Sequence, residues 1–381
     1  MDWLLLPAGV ALILAGIFDV FFTVLHYDGF GFISIRLYRR LFDVTRLLTR
    51  PLPRRHRALG LSMAAPLMVP VTITVWIFLV SLGYALIYLH GMRKGDFSLA
   101  VGRLEPSLGE AFYFSGTAIS TLGLGDITPT GGPYQALAVS EALIGFGILT
   151  LSITYVLGVY NVLQQLGVLT AGLYHQAHDT GDPWSILAPH FPGGEHRGLE
   201  SHLMSLHQGL VEIYEGIRQY PIVYYYHSRH AYRSLPFAFR MVGGVSGALR
   251  WGLPEDHPAS RASWLPTLLV GLDTITDFLE ERFLSESPGD PPEPVSFETF
   301  EAALLRGKEP ADYWLERFLK MNGFMRDLVH LEDTPDPEET YGRYERWLPF
   351  AYHNRAFFET SALDLGYEIE ELEKGPGNRL F

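Results

Sequence analysis

The sequence predicts an all-α membrane protein: three membrane-crossing helices, a short re-entrant helix with a glycine-bearing loop before the third crossing, and a helical domain after it. Three observations carry this. Of the 381 residues 48% are hydrophobic and only 19% charged, an apolar excess for a soluble chain. The excess is concentrated in three long runs rather than spread as amphipathic stripes. The charge balance also changes abruptly after the third run: of 42 acidic and 29 basic residues, 33 and 18 lie from Gly167 onward.

The runs are Trp3 to Leu25, Ala64 to Leu89 and Pro133 to Leu163. Each exceeds the roughly 20 apolar residues that cross a hydrocarbon core as a helix. The carboxylates inside them are Asp19 and Glu141. A signal peptide fits the first run poorly, because no basic residue precedes it and its apolar stretch is longer than the roughly 7–15 residues of a signal h-region. With no cysteine in the chain, disulfides and thiolate metal sites are excluded.

Orientation follows from the linker between the first two runs. Arg36, Arg39, Arg40, Arg46, Arg50, Arg54, Arg55 and Arg57 are opposed there by Asp28 and Asp43, so the linker is expected on the cytoplasmic side. The amino terminus then lies outside, the tail lies in the cytoplasm, and the chain is a multi-pass protein of the plasma (inner) membrane. Tyr38, Leu41, Phe42, Thr45 and Leu48 recur at helical spacing opposite the arginines. Either a helix on an anionic lipid surface or a packed linker helix fits that pattern.

The expected divisions are 1–62 for the first helix and basic linker, 63–165 for the second and third crossings with the loop between them, and 166–381 for the acidic tail. Proline and glycine clusters in HDTGDPWSILAPHFPGG and SPGDPPEP punctuate the tail. Between them the periodicity is helical, and the second cluster offers a division into two lobes near 287–294.

Between the second and third crossings, Ser107 and Glu110 form an S-x-x-E cap opening the apolar stretch LGEAFYFSGTAIS. At about 12 residues it reaches only half-way through a bilayer. TLGLGD follows, Thr121 to Asp126, then the turn-forming ITPTGGP. Irregular backbone at membrane depth is tolerated only where it is buried in protein or lines water. A dehydrated cation there needs oxygen ligands in place of its water, and stacked backbone carbonyls supply them. Glycine at Gly123 and Gly125 accepts the left-handed dihedrals this requires.

AISTLGLGDITP resembles the signature of the pore-loop potassium-channel superfamily, usually written T-V-G-Y-G-D, and the context of capped half-helix, loop and following helix resembles it too. The likeness covers about Ala64 to Gln165. It implies a homotetrameric, potassium-selective channel with K+ as its permeant ion and the lipid bilayer as its surroundings. It also implies ion-facing carbonyls at Thr121, Leu122, Gly123 and Leu124, an outer mouth at Gly125 and Asp126, and a flexible glycine hinge at Gly145 in the third helix. Phe146, Leu149 and Ile153 would then face the cavity, with Leu157 and Tyr160 near the constriction.

Two positions depart from the superfamily pattern. Leu122 replaces a β-branched residue, and Leu124 replaces the aromatic residue that braces the filter from behind; leucine makes no phenolic hydrogen bond. The half-helix carboxylate common behind the filter is the neutral Thr117 here, and Glu141 is expected to substitute for it by bonding Ser115 or Thr117. A carboxylate reaching only the outer interface is the alternative. Gly145 could equally serve close helix packing.

Asp19 is expected to pair with a linker arginine, and His26 ends the first helix. His175 with His178, and His227 with His230, are spaced for one helix face but more often pack or titrate than bind metal. VGGVSG lacks the preceding strand of a dinucleotide site. No catalytic constellation or nucleic-acid patch stands out, so neither enzymatic activity, a cofactor nor a nucleic-acid partner is expected. Three classes stay open: a channel gated through its helical tail, either selective or weakly selective among cations; a potassium uptake transporter, against which a single filter argues; and a non-conducting binding protein on a channel-like scaffold.

Overall fold

A computed structural model describes residues 4–29, 31–100, 105–178, 180–284, 289–306 and 311–374. They form an all-α membrane protein, with three helices long and apolar enough to cross a membrane, at Leu5–Leu25, Arg54–Lys94 and Gly132–Gln176. Two compact units can be told apart. The first takes the chain up to Val162 together with Gly216–Tyr226; the second takes Leu163–Glu215 and the chain from His227 on.

In the first unit, α1 (Leu5–Val20) ends in a π-helical turn, Phe21–Leu25, and α2 (Phe32–Thr49) carries the basic linker. The long α3 (Arg54–Lys94) contains Pro66 and Pro70. Helices α1 and α3 cross at glycine: a Cβ on Gly9 would lie 2.5 Å from the Gly83 carbonyl oxygen, and one on Gly83 would lie 2.7 Å from that of Gly9. Such reciprocal backbone approach is how membrane helices gain packing where no hydrophobic effect drives them together.

Asp19 pairs with no arginine among the described residues, the linker arginines included. It is buried, and its carboxylate accepts the Ile33 N–H at 2.7 Å, the Ser34 hydroxyl at 2.6 Å and the Trp76 indole N–H at 2.7 Å. The physical reason is local: α2 begins at Phe32, so its first-turn N–H groups lack helical partners and draw a carboxylate. Tyr38 and Phe42 on the apolar stripe of α2 are buried in protein, the first against the Tyr155 hydroxyl and the second against the Tyr225 ring. Leu47 and Leu48 remain exposed.

After α3, β1 (Phe97–Leu99) pairs antiparallel with β2 (Ile127–Pro129), with Phe97 opposite Pro129 and Leu99 opposite Ile127. Helix α4 (Leu108–Ile119) lies between them, and α5 (Gly132–Gln176) follows without interruption. This short ladder ties both flanks of the α4 loop together, and sequence periodicity did not reveal it.

The second unit contains α6 (Leu199–Gln219) up to Glu215, α7 (Leu235–Trp251), α8 (Leu265–Phe283), α9 (Phe297–Arg306), α10 (Tyr313–Leu328), α11 (Pro337–Asp364) and α12 (Ile369–Lys374). Helix α7 is its axis, buried along most of its length and packed against both α8 and α11. The stretch 287–294 lies between those two partners in sequence, and residues 287 and 288 of it are outside the described ones. The guanidinium of Arg343 is buried in this unit, paired with Glu339 at 3.0 Å and donating to the Trp251 carbonyl at 2.7 Å.

Candidate ion-conducting loop

The loop is set by the end of α4. Ser107 caps that helix by accepting the Glu110 N–H at 3.2 Å. At the other end, the Thr117 carbonyl accepts two N–H groups, from Leu122 at 3.0 Å and Gly123 at 3.1 Å, while the Thr121 N–H donates to Ala118. Thr117 thus holds the loop through its backbone; its hydroxyl is spent on the Phe114 carbonyl.

Left-handed dihedrals fall on alternate residues: φ is 58° at Thr121, 55° at Gly123 and 78° at Gly125. Leu122 and Leu124 between them are not left-handed. Such alternation turns successive peptide planes to one side of the strand, an arrangement glycine takes without steric cost. A Cβ on Gly123 or Gly125 would meet nothing within 4 Å in this chain, so the demand for glycine is conformational. The leucine side chains of the loop are exposed, as is the backbone run from Ser120 to Gly125.

Behind the loop, Glu141 is fully buried. It accepts the Ser115 hydroxyl at 2.5 Å and the Tyr88 hydroxyl at 2.8 Å, and so links α5, α4 and α3. Of the two α4 hydroxyls expected to reach it, Ser115 does and Thr117 does not. At the far end of the loop, the Tyr113 hydroxyl donates to Asp126 at 2.7 Å, a bond that holds this carboxyl below its usual range. Tyr113 was not singled out from sequence. Its position thirteen residues before Asp126 gives no local pattern, and only the fold brings them together.

Along α5, Gly145 sits against the end of α4, where a Cβ would come within 2.1 Å of the Ile119 carbonyl oxygen; Gly147 meets nothing. Phe146, Leu149, Ile153, Leu157 and Tyr160 are all exposed, between 55% and 65%. With Val139 and Leu143 they make one exposed apolar face. Opposite it, Tyr155 packs edge-on to Tyr220 at 5.4 Å, and a Cβ on Gly158 would lie 2.2 Å from the Tyr220 hydroxyl oxygen. Gly216–Tyr226 is therefore a strap of the first unit: Arg218 also pairs with Asp28 at 2.7 Å, and Tyr226 approaches Tyr160 at 6.5 Å.

One histidine of the tail pairs, His227, is placed by packing. His227 stacks on Tyr367 at 4.1 Å and approaches the Leu365 carbonyl at 3.0 Å, a packing role. Among the described residues, the donor atoms that converge closely enough to hold an ion are those of Asp277, Glu280 and His353, all within 4.8 Å of one another.

Comparison with known proteins fits this geometry. The profile of the Ion_trans_2 family, described as "Ion channel", matches residues 71–161, which take in most of α3, α4, the loop and α5 to Asn161. The "Uncharacterized membrane protein YdjJ" of Bacillus subtilis (strain 168) is 25% identical over 289 residues, 75% of this chain and 81% of that protein. No solved structure shows a significant match. The chain is a membrane protein whose residues 71–161 are similar to the Ion_trans_2 ion channels.

Proposed function

We propose that the chain is one subunit of a homotetrameric, potassium-selective channel, and that its opening is controlled through the tail. The observation that carries this is the loop itself. Alternate left-handed residues lie in an exposed run whose backbone carbonyls accept no hydrogen bond among the described residues, at the end of a half-helix whose negative pole faces them. A single copy cannot surround an ion. The exposed apolar face of α5 gives the remaining copies a surface to pack on or a cavity to line, and a closed ring is the common solution for identical subunits.

The carbonyls of Thr121, Leu122, Gly123 and Leu124 would bind the dehydrated ion, with Asp126 braced by Tyr113 at the mouth. Phe146, Leu149 and Ile153 would line the cavity, and Leu157 and Tyr160 the constriction. The exposed arginines of α2 support a cytoplasmic linker and tail, with the amino terminus outside. Tyr220 packed on Gly158 gives the tail a lever one residue from Leu157, and an open-to-closed change there requires only that the strap shift.

The reading is tested with Gly123→Ala. A Cβ at φ 55° strains the loop, so potassium flux should vanish while assembled oligomers of wild-type size persist. Wild-type flux from correctly assembled Gly123→Ala protein would contradict the assignment.

A further inference from the structure

The second unit contains a cleft of about 50 Å³ between α7, α10 and α11 that shares Trp184, Arg240 and Arg317 with a wider mouth of about 250 Å³, and its charges are not balanced. Arg240, Arg317 and Arg355 all line it, beside the rings of Trp184, Trp347 and Phe350. Arg355 is matched, with Glu359 at 2.5 Å and Glu373. At the mouth Glu316 is taken by Lys320, and Asp182 accepts the Trp184 N–H.

Among the described residues, Arg240 and Arg317 have no such partner. Arg240 donates to the carbonyls of Gly181 and Leu372, and among the described residues its buried Nε bonds nothing and it forms no ion pair. Arg317 donates to the Tyr313 hydroxyl and forms no ion pair with a described residue either. Burial and the neighbouring Arg317 charge push Arg240 down to about 10. Two guanidiniums held together in a partly dry cleft cost electrostatic energy that a bridging anion would recover.

We propose that this cleft binds a phosphomonoester carrying a flat ring, a ligand of mononucleotide size. Two unpaired guanidiniums match a dianionic phosphate, and their planar forks suit its oxygens. The indole and phenyl walls offer faces for a ring. The inner cleft of about 50 Å³ and the mouth of about 250 Å³ that shares Trp184, Arg240 and Arg317 with it together reach the lower end of small-molecule sites, roughly 300 Å³. Gly243 and Gly247 bring α7 close to α11, where Cβ atoms would meet Asn354 at 2.5 Å and Phe350 at 3.1 Å, and so fix the wall behind the ligand. Nothing in the site depends on what the pore conducts.

The test uses the full chain in detergent, with AMP, adenosine, ribose 5-phosphate and inorganic phosphate as probes. Thermal unfolding and tryptophan fluorescence, reported by Trp184 and Trp347, are the readouts. AMP at millimolar concentration should raise the melting temperature and quench fluorescence, with adenosine and inorganic phosphate each at least tenfold weaker. Arg317→Gln should weaken AMP at least tenfold and, by relieving the like-charge pair, raise the melting temperature of the ligand-free protein. AMP without effect on either readout, inorganic phosphate or ribose 5-phosphate as tight as AMP, or undiminished AMP binding by Arg317→Gln would each overturn the proposal.

Discussion

The Ser115 hydroxyl donates to the buried Glu141 carboxylate at 2.5 Å and so fixes the half-helix α4 to the crossing helix α5. A carboxylate in a membrane helix costs about 2.5 kcal/mol or more on insertion scales, and is retained where partners or a pathway reward it. Here the partners are Ser115 and Tyr88. Glu141→Ala strands the Tyr88 hydroxyl and leaves Ser115 only the Ser81 carbonyl at 2.9 Å, so thermal stability should fall by about 1–3 kcal/mol and ion flux should be lost. Tyr88→Phe, losing one of the two bonds, should have the milder effect. Unchanged stability and flux in Glu141→Ala would mean the carboxylate supports nothing.

Asp126 is braced by Tyr113 at 2.7 Å, whereas Leu124 can offer no phenolic hydrogen bond. Tyr113→Phe removes the brace without emptying its space, and the potassium-to-sodium flux ratio should drop several-fold. Leu124→Tyr should raise it. A ratio unmoved by both substitutions would place the control of selection outside the loop's hydrogen bonds.

The strap gives a coupling experiment. A Cβ at Gly158 would lie 2.2 Å from the Tyr220 hydroxyl oxygen, so Gly158→Ala must displace Tyr220. Open probability should change several-fold at constant unitary conductance. Tyr220→Ala should then make Gly158→Ala nearly neutral, a non-additivity of the kind that marks direct contact. Additive effects would show that the strap does not transmit gating. Deletion of the tail after about Gln165 also removes Gly216–Tyr226, a piece of the pore's own unit, and should leave channels with altered opening.

His202 offers a pH test of the helical unit. Burial, helped by the neighbouring His190 ring at 4.4 Å, lowers it to about 4 from the ordinary 6.5. A histidine kept neutral in the folded state contributes no penalty above pH 6.5. As pH falls toward 4 the unfolded chain takes up a proton that the folded one refuses, and stability is lost. At pH 5 the loss should be about 2 kcal/mol. His202→Gln should flatten the dependence between pH 7 and 5; an equally steep curve in that variant would assign the acid sensitivity elsewhere.

Local pattern made much of this legible. The crossings were read from the length of their apolar runs, α4 from its cap and shortness, and the loop from Gly123 and Gly125 after a half-helix. What escaped lies at long sequence separation. Trp76 reaches Asp19 across 57 residues, and Arg218 reaches Asp28 across 190. The pairing of Asp19 was misjudged because nearby arginines were the obvious partners, whereas helix-start N–H groups compete for the same carboxylate. The strap was invisible because Tyr220 to Tyr226 reads as an ordinary aromatic segment, and only Gly158 and Tyr155 reveal what it packs on.

The central claim is potassium conduction through the loop Thr121 to Asp126, and flux from liposomes containing the purified full chain tests it most directly. With a potassium gradient the account predicts rapid, counter-ion-dependent flux that largely disappears when sodium replaces potassium. Liposomes holding assembled protein that pass neither ion, or that pass sodium as readily as potassium, would contradict it.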